Sequence, residues 1–302
     1  MNTGTNNAEA RTAGLNRRHI LCAGALCALL AACSPGERNT TGRYSQAQDS
    51  APYQTVDVSM VEDAVPRVEP KSRYGNPSSY VVRGKRYATL TSSKGYKQRG
   101  IASWYGTKFH GHRTSSGESY DMYRMSAAHK TLPLPTYARV SNLRNGKSVI
   151  VKINDRGPFH ENRLIDLSYA AAARLDILGQ GTGLVEVEAI DPRVYAAGKP
   201  AHRVAASQPR ISRPATAPAK QARPPSLYLQ LGAFSERSNA ERLQARLNDT
   251  ELPGELRITR KDSGQKPVFR VRIGPLANVE TADRLTRLLA DKGISSPHVV
   301  VD

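Results

Sequence analysis

The last quarter of the chain has the most regular pattern of hydrophobic and polar positions. Alternation with a period of two predicts strands at Leu227–Leu231, Leu256–Arg260, Val268–Ile273 and His298–Val301. Apolar residues at helical spacing predict one helix that starts at a capping box of Ser238 and Glu241. They predict a second helix that Asn278 caps and Gly293 ends. The order β-α-β-β-α-β is that of a ferredoxin-like, split βαβ domain.

The segment from Gly100 to Pro192 has shorter strand patterns, separated by glycine-rich turns. Strands are predicted at Arg99–Tyr105, Tyr137–Ser141, Ser148–Ile153, Leu164–Leu167 and Leu184–Ile190. Asn145-Gly146 predicts a hairpin turn, and Ser168 predicts the N-cap of an alanine-rich helix over Tyr169–Leu175. Several short strands with one helix predict a small closed barrel. The fold class is therefore mainly β, followed by an α+β domain.

The rest of the chain lacks these periods and is predicted to tether or connect the two domains. Residues 33–98 are rich in Ser, Thr, Pro and Gln, which predicts a mostly disordered tether with one edge strand at Ser79–Leu90. The predicted division is a signal peptide at 1–32, the tether at 33–98, the barrel at 99–192, a Pro/Ala/basic linker at 193–225 and the C-terminal domain at 226–302.

The N-terminus predicts export with lipidation. Arg17-Arg18 precedes an apolar run, Ile20–Ala32, which is too short for a typical transmembrane helix. The small residues before Cys33 resemble a bacterial lipobox, so Cys33 is the expected lipidation site; the alternative is an ordinary buried cysteine. Ser34 favours the outer membrane, with the protein at its periplasmic face, although the inner membrane stays open. Export through either the Sec or the twin-arginine route fits this signal.

Composition narrows the expected partners. The 302 residues carry a net charge of +18, which suits a membrane surface or an anionic polymer, although a basic solvated surface explains it equally well. Because the chain is predicted to be exported, nucleic acid is not an expected partner. Cys22 and Cys27 lie in the signal segment, so the exported domains are expected to have neither a disulfide nor a thiol nucleophile.

Candidate proton chemistry lies in the barrel segment. Asp155 follows an apolar strand and is the strongest candidate for an acid; the alternative is a turn carboxylate paired with Arg156. Glu118 and His129 are further candidates. The alternative for Glu118 is a solvated loop acid, and the alternative for His129 is a buried or hydrogen-bonded imidazole. Asp166, between two apolar residues, is predicted to be structural. His110 and His112 share a strand face but have no clear third ligand, so neither a metal nor a cofactor is predicted.

Several motifs of the barrel segment together resemble the rare lipoprotein A family of septal lytic transglycosylases. They are Ala102-Ser-Trp-Tyr-Gly, Phe109-His-Gly, Thr114-Ser-Ser-Gly-Glu, Ala127-Ala-His-Lys-Thr-Leu-Pro, Asn154-Asp-Arg-Gly-Pro-Phe and Arg163-Leu-Ile-Asp-Leu-Ser. The resemblance implies a double-psi β-barrel and functional roles for Glu118, His129 and Asp155. The C-terminal domain resembles a SPOR domain through Tyr228–Phe234 and Phe269–Pro275. That resemblance implies binding of glycan strands stripped of stem peptides, with contacts from Gln230 and Arg270.

The resemblance implies non-hydrolytic cleavage of MurNAc–GlcNAc bonds in peptide-free strands, with 1,6-anhydro-muramyl products, in cell-wall remodelling and daughter-cell separation. Asp155 would protonate the glycosidic oxygen, and either Asp155 or Glu118 would deprotonate the muramyl 6-hydroxyl. His129 would orient the acid, and Trp104 and Tyr105 would stack on sugar faces, with core packing as the alternative for Trp104. Septal division proteins are candidate partners. The alternatives are a non-catalytic wall-binding or wall-loosening lipoprotein and a hydrolase.

Overall fold

A computed structural model describes residues 46, 48–54, 56–197, 225–262, 266–294 and 297–302. The predicted signal peptide, the lipidation site Cys33 and most of the predicted 193–225 linker lie outside the described residues. Among the described residues, no helix is both long and apolar enough to cross a bilayer.

Six strands close into the predicted barrel. They are β3 (Lys97–Tyr105), β4 (Ser126–His129), β5 (Thr136–Asn142), β6 (Ser148–Asp155), β7 (Arg163–Ser168) and β8 (Gly183–Ile190), and they neighbour one another in the order β3-β7-β4-β6-β5-β8. The pairs β3–β7 and β4–β6 are parallel, and the other pairs are antiparallel. This confirms the barrel that the sequence predicted, and it adds strand β4, which the sequence reasoning missed.

Apolar side chains from the strands fill the barrel interior. Ile153, Ile165 and Leu167 have no exposed surface, as expected for inward positions on strands of period two. Ser168 ends β7 and caps the helix α1 (Tyr169–Arg174), where its Oγ accepts a hydrogen bond from Ala171 N at 3.2 Å. A short 3₁₀ helix (Leu178–Gln180) and the helix α2 (Pro192–Ala197) flank β8. The predicted cap is confirmed.

Residues 56–96, called here the N-terminal segment, pack on the barrel, which corrects the expectation of a disordered tether for this stretch. Val58 is buried, and Ala64 N donates to Ile150 O at 2.9 Å. The segment also contains a hairpin of β1 (Ser79–Val82) and β2 (Lys85–Ala88), which forms its own two-stranded sheet. The local sequence is polar and rich in proline, but distant barrel groups satisfy its backbone.

The C-terminal domain confirms the predicted β-α-β-β-α-β order. Its elements are β9 (Leu227–Phe234), α3 (Arg237–Ala245), β10 (Glu255–Asp262), β11 (Pro267–Leu276), α4 (Val279–Asp291) and β12 (His298–Val301), and its sheet has the order β10-β11-β9-β12. Asn278 caps α4 as predicted, with its Oδ1 2.9 Å from Thr281 N. The predicted capping box is wrong: α3 begins at Arg237, so Ser238 lies inside the first turn, and the N-cap Glu236 makes no side-chain cap bond.

Candidate active site

Asp155 ends strand β6, and one of its carboxyl oxygens is held by three donors. Oδ1 accepts hydrogen bonds from Ser115 N at 2.7 Å, from Ser115 Oγ at 2.6 Å and from Arg156 N at 2.7 Å. Oδ2 accepts no hydrogen bond from the part of the chain that the structure describes. Three donors on one oxygen fix the orientation of the carboxyl, and they leave the second oxygen without a donor among the described residues.

Arg156 anchors the turn that carries Asp155, and its guanidinium does not pair with that carboxylate. Nε donates to Gly75 O at 2.8 Å, and Nη1 donates to His129 O at 3.1 Å and to Leu132 O at 2.5 Å. Nη2 donates to Asn76 Oδ1 at 3.2 Å. The alternative of a turn carboxylate neutralised by Arg156 is therefore wrong, because these acceptors hold the guanidinium away from it.

His129 is buried and neutral. Its Nδ1 accepts hydrogen bonds from Thr131 N and Leu132 N at 3.2 and 3.1 Å, which assigns the ring proton to Nε2, 2.9 Å from the Tyr96 hydroxyl. Burial lowers the pKa of His129 to about 3, with smaller contributions from the positive charges of Arg156 and Lys130. The ring makes no hydrogen bond to Asp155. The geometry supports a positioning role, in which His129 shapes the turn whose carbonyls hold Arg156.

Glu118 lies in a groove on the barrel surface. Its Oε1 is 2.9 Å from Lys152 Nζ, and its Oε2 accepts from Asn154 Nδ2 at 2.8 Å. Lys152 Nζ also lies 2.9 Å from Glu69 Oε2, and the Tyr137 hydroxyl donates to the other oxygen of Glu69. The groove has a volume of about 1060 Å³, and residues 61–69 of the N-terminal segment form one of its walls. The lining includes Asn154, the residue before Asp155, but does not include Asp155 itself.

The structure separates the two aromatic residues that were predicted to stack on sugars. The Tyr105 ring is 7% exposed and stacks on Tyr120 with a centroid distance of 4.1 Å. It is a core residue, so its prediction as a sugar contact is corrected. Trp104 is half-buried and meets Tyr169 edge to face at 6.0 Å, so part of its surface is accessible.

The polar face of the C-terminal sheet brings together three residues, one of which was predicted as a contact. Gln230 is paired with Arg272 on β11 and with His298 on β12. Arg272 Nε donates to Gln230 Oε1 at 3.3 Å, and Nη1 donates to Asp302 Oδ2 at 2.8 Å. The other predicted contact, Arg270, pairs with Ala233 and is less buried than Gln230.

Sequence reasoning did not assign functions to Arg272 and His298 on this face. The alternation along β11 was the signal for Arg272, because it puts Arg270 and Arg272 on the same face. The signal for His298 was absent, since it depends on how β12 pairs with β9.

The two histidines considered for a metal site serve other contacts. His110 Nδ1 accepts a hydrogen bond from Met122 N at 3.2 Å, and His112 is also engaged. Within the described ranges, no group of three His, Cys, Asp or Glu side chains is placed to hold a metal ion.

Comparisons with known proteins agree with these two domains. A family model described as lytic transglycolase matches residues 97–188, and a model of the SPOR domain matches residues 224–300. The chain is 41% identical over 300 residues to the endolytic peptidoglycan transglycosylase RlpA of Pseudomonas aeruginosa PAO1, which covers 86% of each chain. It is 52% identical over 163 residues to the protein of the same name from Vibrio cholerae, which covers 54% of this chain and 60% of that protein.

Among solved structures, the chain is similar to the RlpA SPOR domain from Pseudomonas aeruginosa. The identity is 30%, the match covers 24% of this chain and 96% of that domain, and the TM-score is 0.23.

Proposed function

Because the chain belongs to the family of RlpA endolytic peptidoglycan transglycosylases, we propose that it cleaves peptidoglycan glycan strands internally and without water. The bond cleaved is that between MurNAc and GlcNAc. The muramyl 6-hydroxyl attacks C1 of its own sugar, and the product ends in a 1,6-anhydro ring. Such a reaction takes its nucleophile from the substrate, so it does not need a carboxylate that activates water, unlike the hydrolases with two carboxylates.

The observation that carries this proposal is the hydrogen bonding of the two oxygens of the Asp155 carboxyl. Three donors hold Oδ1 in place, and Oδ2 is left to accept the proton of the attacking 6-hydroxyl. Both oxygens of Glu118 are engaged, so Glu118 suits a role in ordering Lys152 and Asn154 along the strand-binding groove. His129 keeps the Arg156 turn in place. This division supports Asp155 as the group that acts on the substrate proton.

The groove and the C-terminal sheet support an endolytic mode on peptide-free strands. The groove is lined by charged, polar and apolar side chains from both the barrel and the N-terminal segment, which suits a sugar polymer with polar hydroxyls and apolar ring faces. Removal of stem peptides exposes the lactyl carboxylate of MurNAc. Arg270 on the C-terminal sheet provides a cation that would pair with this group, and Gln230 provides an amide for sugar hydroxyls. Arg272 is already paired with Asp302, so its role is to hold Gln230.

The test is product analysis on peptide-free glycan with the full-length chain and its Asp155→Asn variant. The wild type is expected to generate anhydro-muramyl ends detectable by mass spectrometry, and the variant should lose at least about 100-fold in rate while it still co-sediments with the glycan. Asp176→Asn is the matched control, since Asp176 is exposed and pairs with Lys147. Undiminished product from Asp155→Asn would remove Asp155 from this role.

The same assay separates the alternatives. A wild type that binds glycan and creates no new ends would be a wall-binding or wall-loosening protein. A wild type that creates reducing ends in place of anhydro ends would be a hydrolase.

We also propose that the protein acts at the periplasmic face of the cell envelope, held by lipid on Cys33. Ser34 favours the outer membrane, and a role in septal remodelling with division proteins follows from the family. Metabolic labelling with a palmitate analogue should mark the wild type and spare Cys33→Ala. If Cys33→Ala still took up the label, Cys33 would not be the lipidated residue.

A further inference from the structure

Asp155 belongs to a row of residues that crosses four neighbouring strands of the barrel. On strand β4, Ala128 is opposite Asp155 of β6 on one side and opposite Asp166 of β7 on the other. Strand β3 then places Ser103 opposite Asp166. The ladder between β4 and β6 is irregular here, because β6 has one extra residue, Asn154, between the partners of Ala127 and Ala128. After this bulge Asp155 is the partner of Ala128, and paired residues on adjacent strands point to the same side of a sheet, which places both carboxyls on the side of Ala128. On the strand between them, only the methyl group of Ala128 stands in this row.

The two oxygens of Asp166 differ from each other. Oδ1 is buried and accepts no hydrogen bond from the described residues. The nearest cationic atom, Arg163 Nη1, is 3.7 Å away and donates instead to Ser103 Oγ at 3.0 Å. The side chain keeps 19% of its surface exposed, and none of that surface belongs to Oδ1. A buried oxygen that accepts no hydrogen bond favours the neutral, protonated acid, because burial disfavours the charged form.

Charged groups around Asp166 do not reverse this preference. Arg163 lies on β7, the strand that also carries Asp166. Lys130 follows β4, and its ammonium donates to the carbonyls of His160 and Arg163 at 3.0 and 2.6 Å. Asp49 accepts from Gly106 N at 2.8 Å, beyond the end of β3. Burial raises the pKa of Asp166 to about 6 against the opposing effect of Arg163 and Lys130, and Asp49 adds to the rise.

We propose that Asp166 is the general acid of the transglycosylation and that Asp155 is its partner base, an inference that rests on the proposed function. Two steps between strands separate the Cα atoms of this pair by about 10 Å. In the proposed reaction, the space between the two carboxyls would hold the muramyl 6-hydroxyl. Asp166 is therefore assigned to catalysis, where the sequence predicted a structural residue.

The proton balance of this pair closes within one substrate. Asp166 gives its proton to the glycosidic oxygen as the bond from C1 to that oxygen breaks, and GlcNAc leaves with a 4-hydroxyl. The muramyl O6 forms the new bond to C1 and loses its proton to Asp155. Solvent then carries a proton from Asp155 to Asp166 before the next turnover. No oxidant, reductant or water enters the products.

A substrate with an activated leaving group tests this assignment. The full-length chain is assayed on peptide-free glycan and on a peptide-free oligosaccharide that carries 4-nitrophenol at C1 of its terminal muramyl residue. Nitrophenolate leaves without a proton, so Asp166→Asn is expected to lose at least about 100-fold on the glycan and less than about tenfold on the nitrophenyl substrate. Asp155→Asn should lose activity on both, since both reactions need the base. Asp176→Asn should lose neither.

The pH profile of the wild type is the second readout. Its rate on the glycan should fall as the pH rises through about 6, because Asp166 then loses the proton it must donate. This fall should be absent for Asp166→Asn on the nitrophenyl substrate.

The outcomes separate this inference from the proposed function. A wild type that makes no anhydro ends defeats the proposed function itself. An active wild type with an equally active Asp166→Asn variant overturns the inference alone. Equal losses on both substrates would also overturn it, because they would indicate a structural role. If the variant does not fold, a wild-type profile that shows no fall between about pH 5 and pH 8 decides against Asp166.

Discussion

At the scale of single residues, neighbours give different chemistry to side chains of the same type. Asp155 has three donors on one oxygen, whereas the buried oxygen of Asp166 has none among the described residues. Glu118 has a partner on each oxygen. These differences arise from backbone amides and side chains far apart in sequence, such as Ser115 and Asp155. Because of these distant contacts, the sequence identified Asp155 and Glu118 as candidate acids, but it did not show which role each carboxyl has.

Asp166→Asn should stabilise the protein at neutral pH and not in acid. The carboxyl has a pKa of about 6 in the folded state against 3.8 in the unfolded chain, so its contribution to stability is fully present below pH 3.8 and is lost as the pH rises through about 6. The loss corresponds to roughly 3 kcal/mol at most. Thermal unfolding of the wild type and of Asp166→Asn at about pH 4 and pH 8 measures this difference in stability. A variant that is less stable at pH 8 would contradict the prediction.

His129→Asn should make the fold less sensitive to acid. The wild-type imidazole has a pKa of about 3 when folded and 6.5 when unfolded, so wild-type stability falls as the pH drops below 6.5 toward 3. Asparagine can still accept a hydrogen bond from the backbone and does not titrate. Unfolding free energies from about pH 7 to pH 4 should therefore decline less steeply in the variant. The exposed Asn248 provides the control variant, Asn248→Ala, whose decline should match the wild type.

At the scale of elements, the N-terminal segment completes the site that the barrel begins. Asn76 links the two: Nδ2 donates to Ser72 O and Leu134 O, and Oδ1 accepts from Leu134 N and from Arg156 Nη2. The Arg156 turn carries Asp155. An element that looks like a tether in the sequence therefore helps to fix the position of the proposed base.

Asn76→Ala should lower both stability and turnover. The loss of these hydrogen bonds should cost about 1 to 3 kcal/mol of unfolding free energy, because it leaves buried partners unpaired. The turnover number on peptide-free glycan should fall while co-sedimentation with the glycan persists, since the groove itself is retained. Asn248→Ala, at an exposed position, is the matched control. Full turnover in Asn76→Ala would mean that the barrel positions Asp155 without the N-terminal segment.

The elements that could be predicted from the sequence are those with local signals. The alternation in β5 and β6 and the glycine turn between them identify a hairpin, and Asn278 and Gly293 mark the ends of α4. Strand β4 has four residues and gains its order from β6 and β7, so no local period marks it. The N-terminal segment was mispredicted for a related reason. Its polar composition indicates disorder, but its hydrogen-bond partners lie in the barrel, far along the chain.

At the scale of the whole molecule, the proposed work is divided between two domains. The barrel holds the carboxyls, and the C-terminal sheet presents a face with Gln230, Arg270 and Arg272. Burial, together with the positive charges of Arg272 and Arg270, lowers the pKa of His298 on the same face and keeps that imidazole neutral. The two arginines are therefore its cationic groups at neutral pH.

This division predicts that binding and chemistry can be lost separately. Gln230→Ala combined with Arg270→Ala should weaken binding to long peptide-free glycan by tenfold or more, because the sheet then lacks an amide and a cation for the strand. The turnover number on short soluble glycans should stay within about twofold of wild type, since these substrates need only the barrel groove. Arg260→Ala, on the exposed edge strand β10, is the control and should leave both unchanged. Binding measured by co-sedimentation and turnover measured by anhydro-end release give the two numbers independently. A parallel loss of both would mean that the sheet acts on the barrel and is not a separate glycan-binding surface.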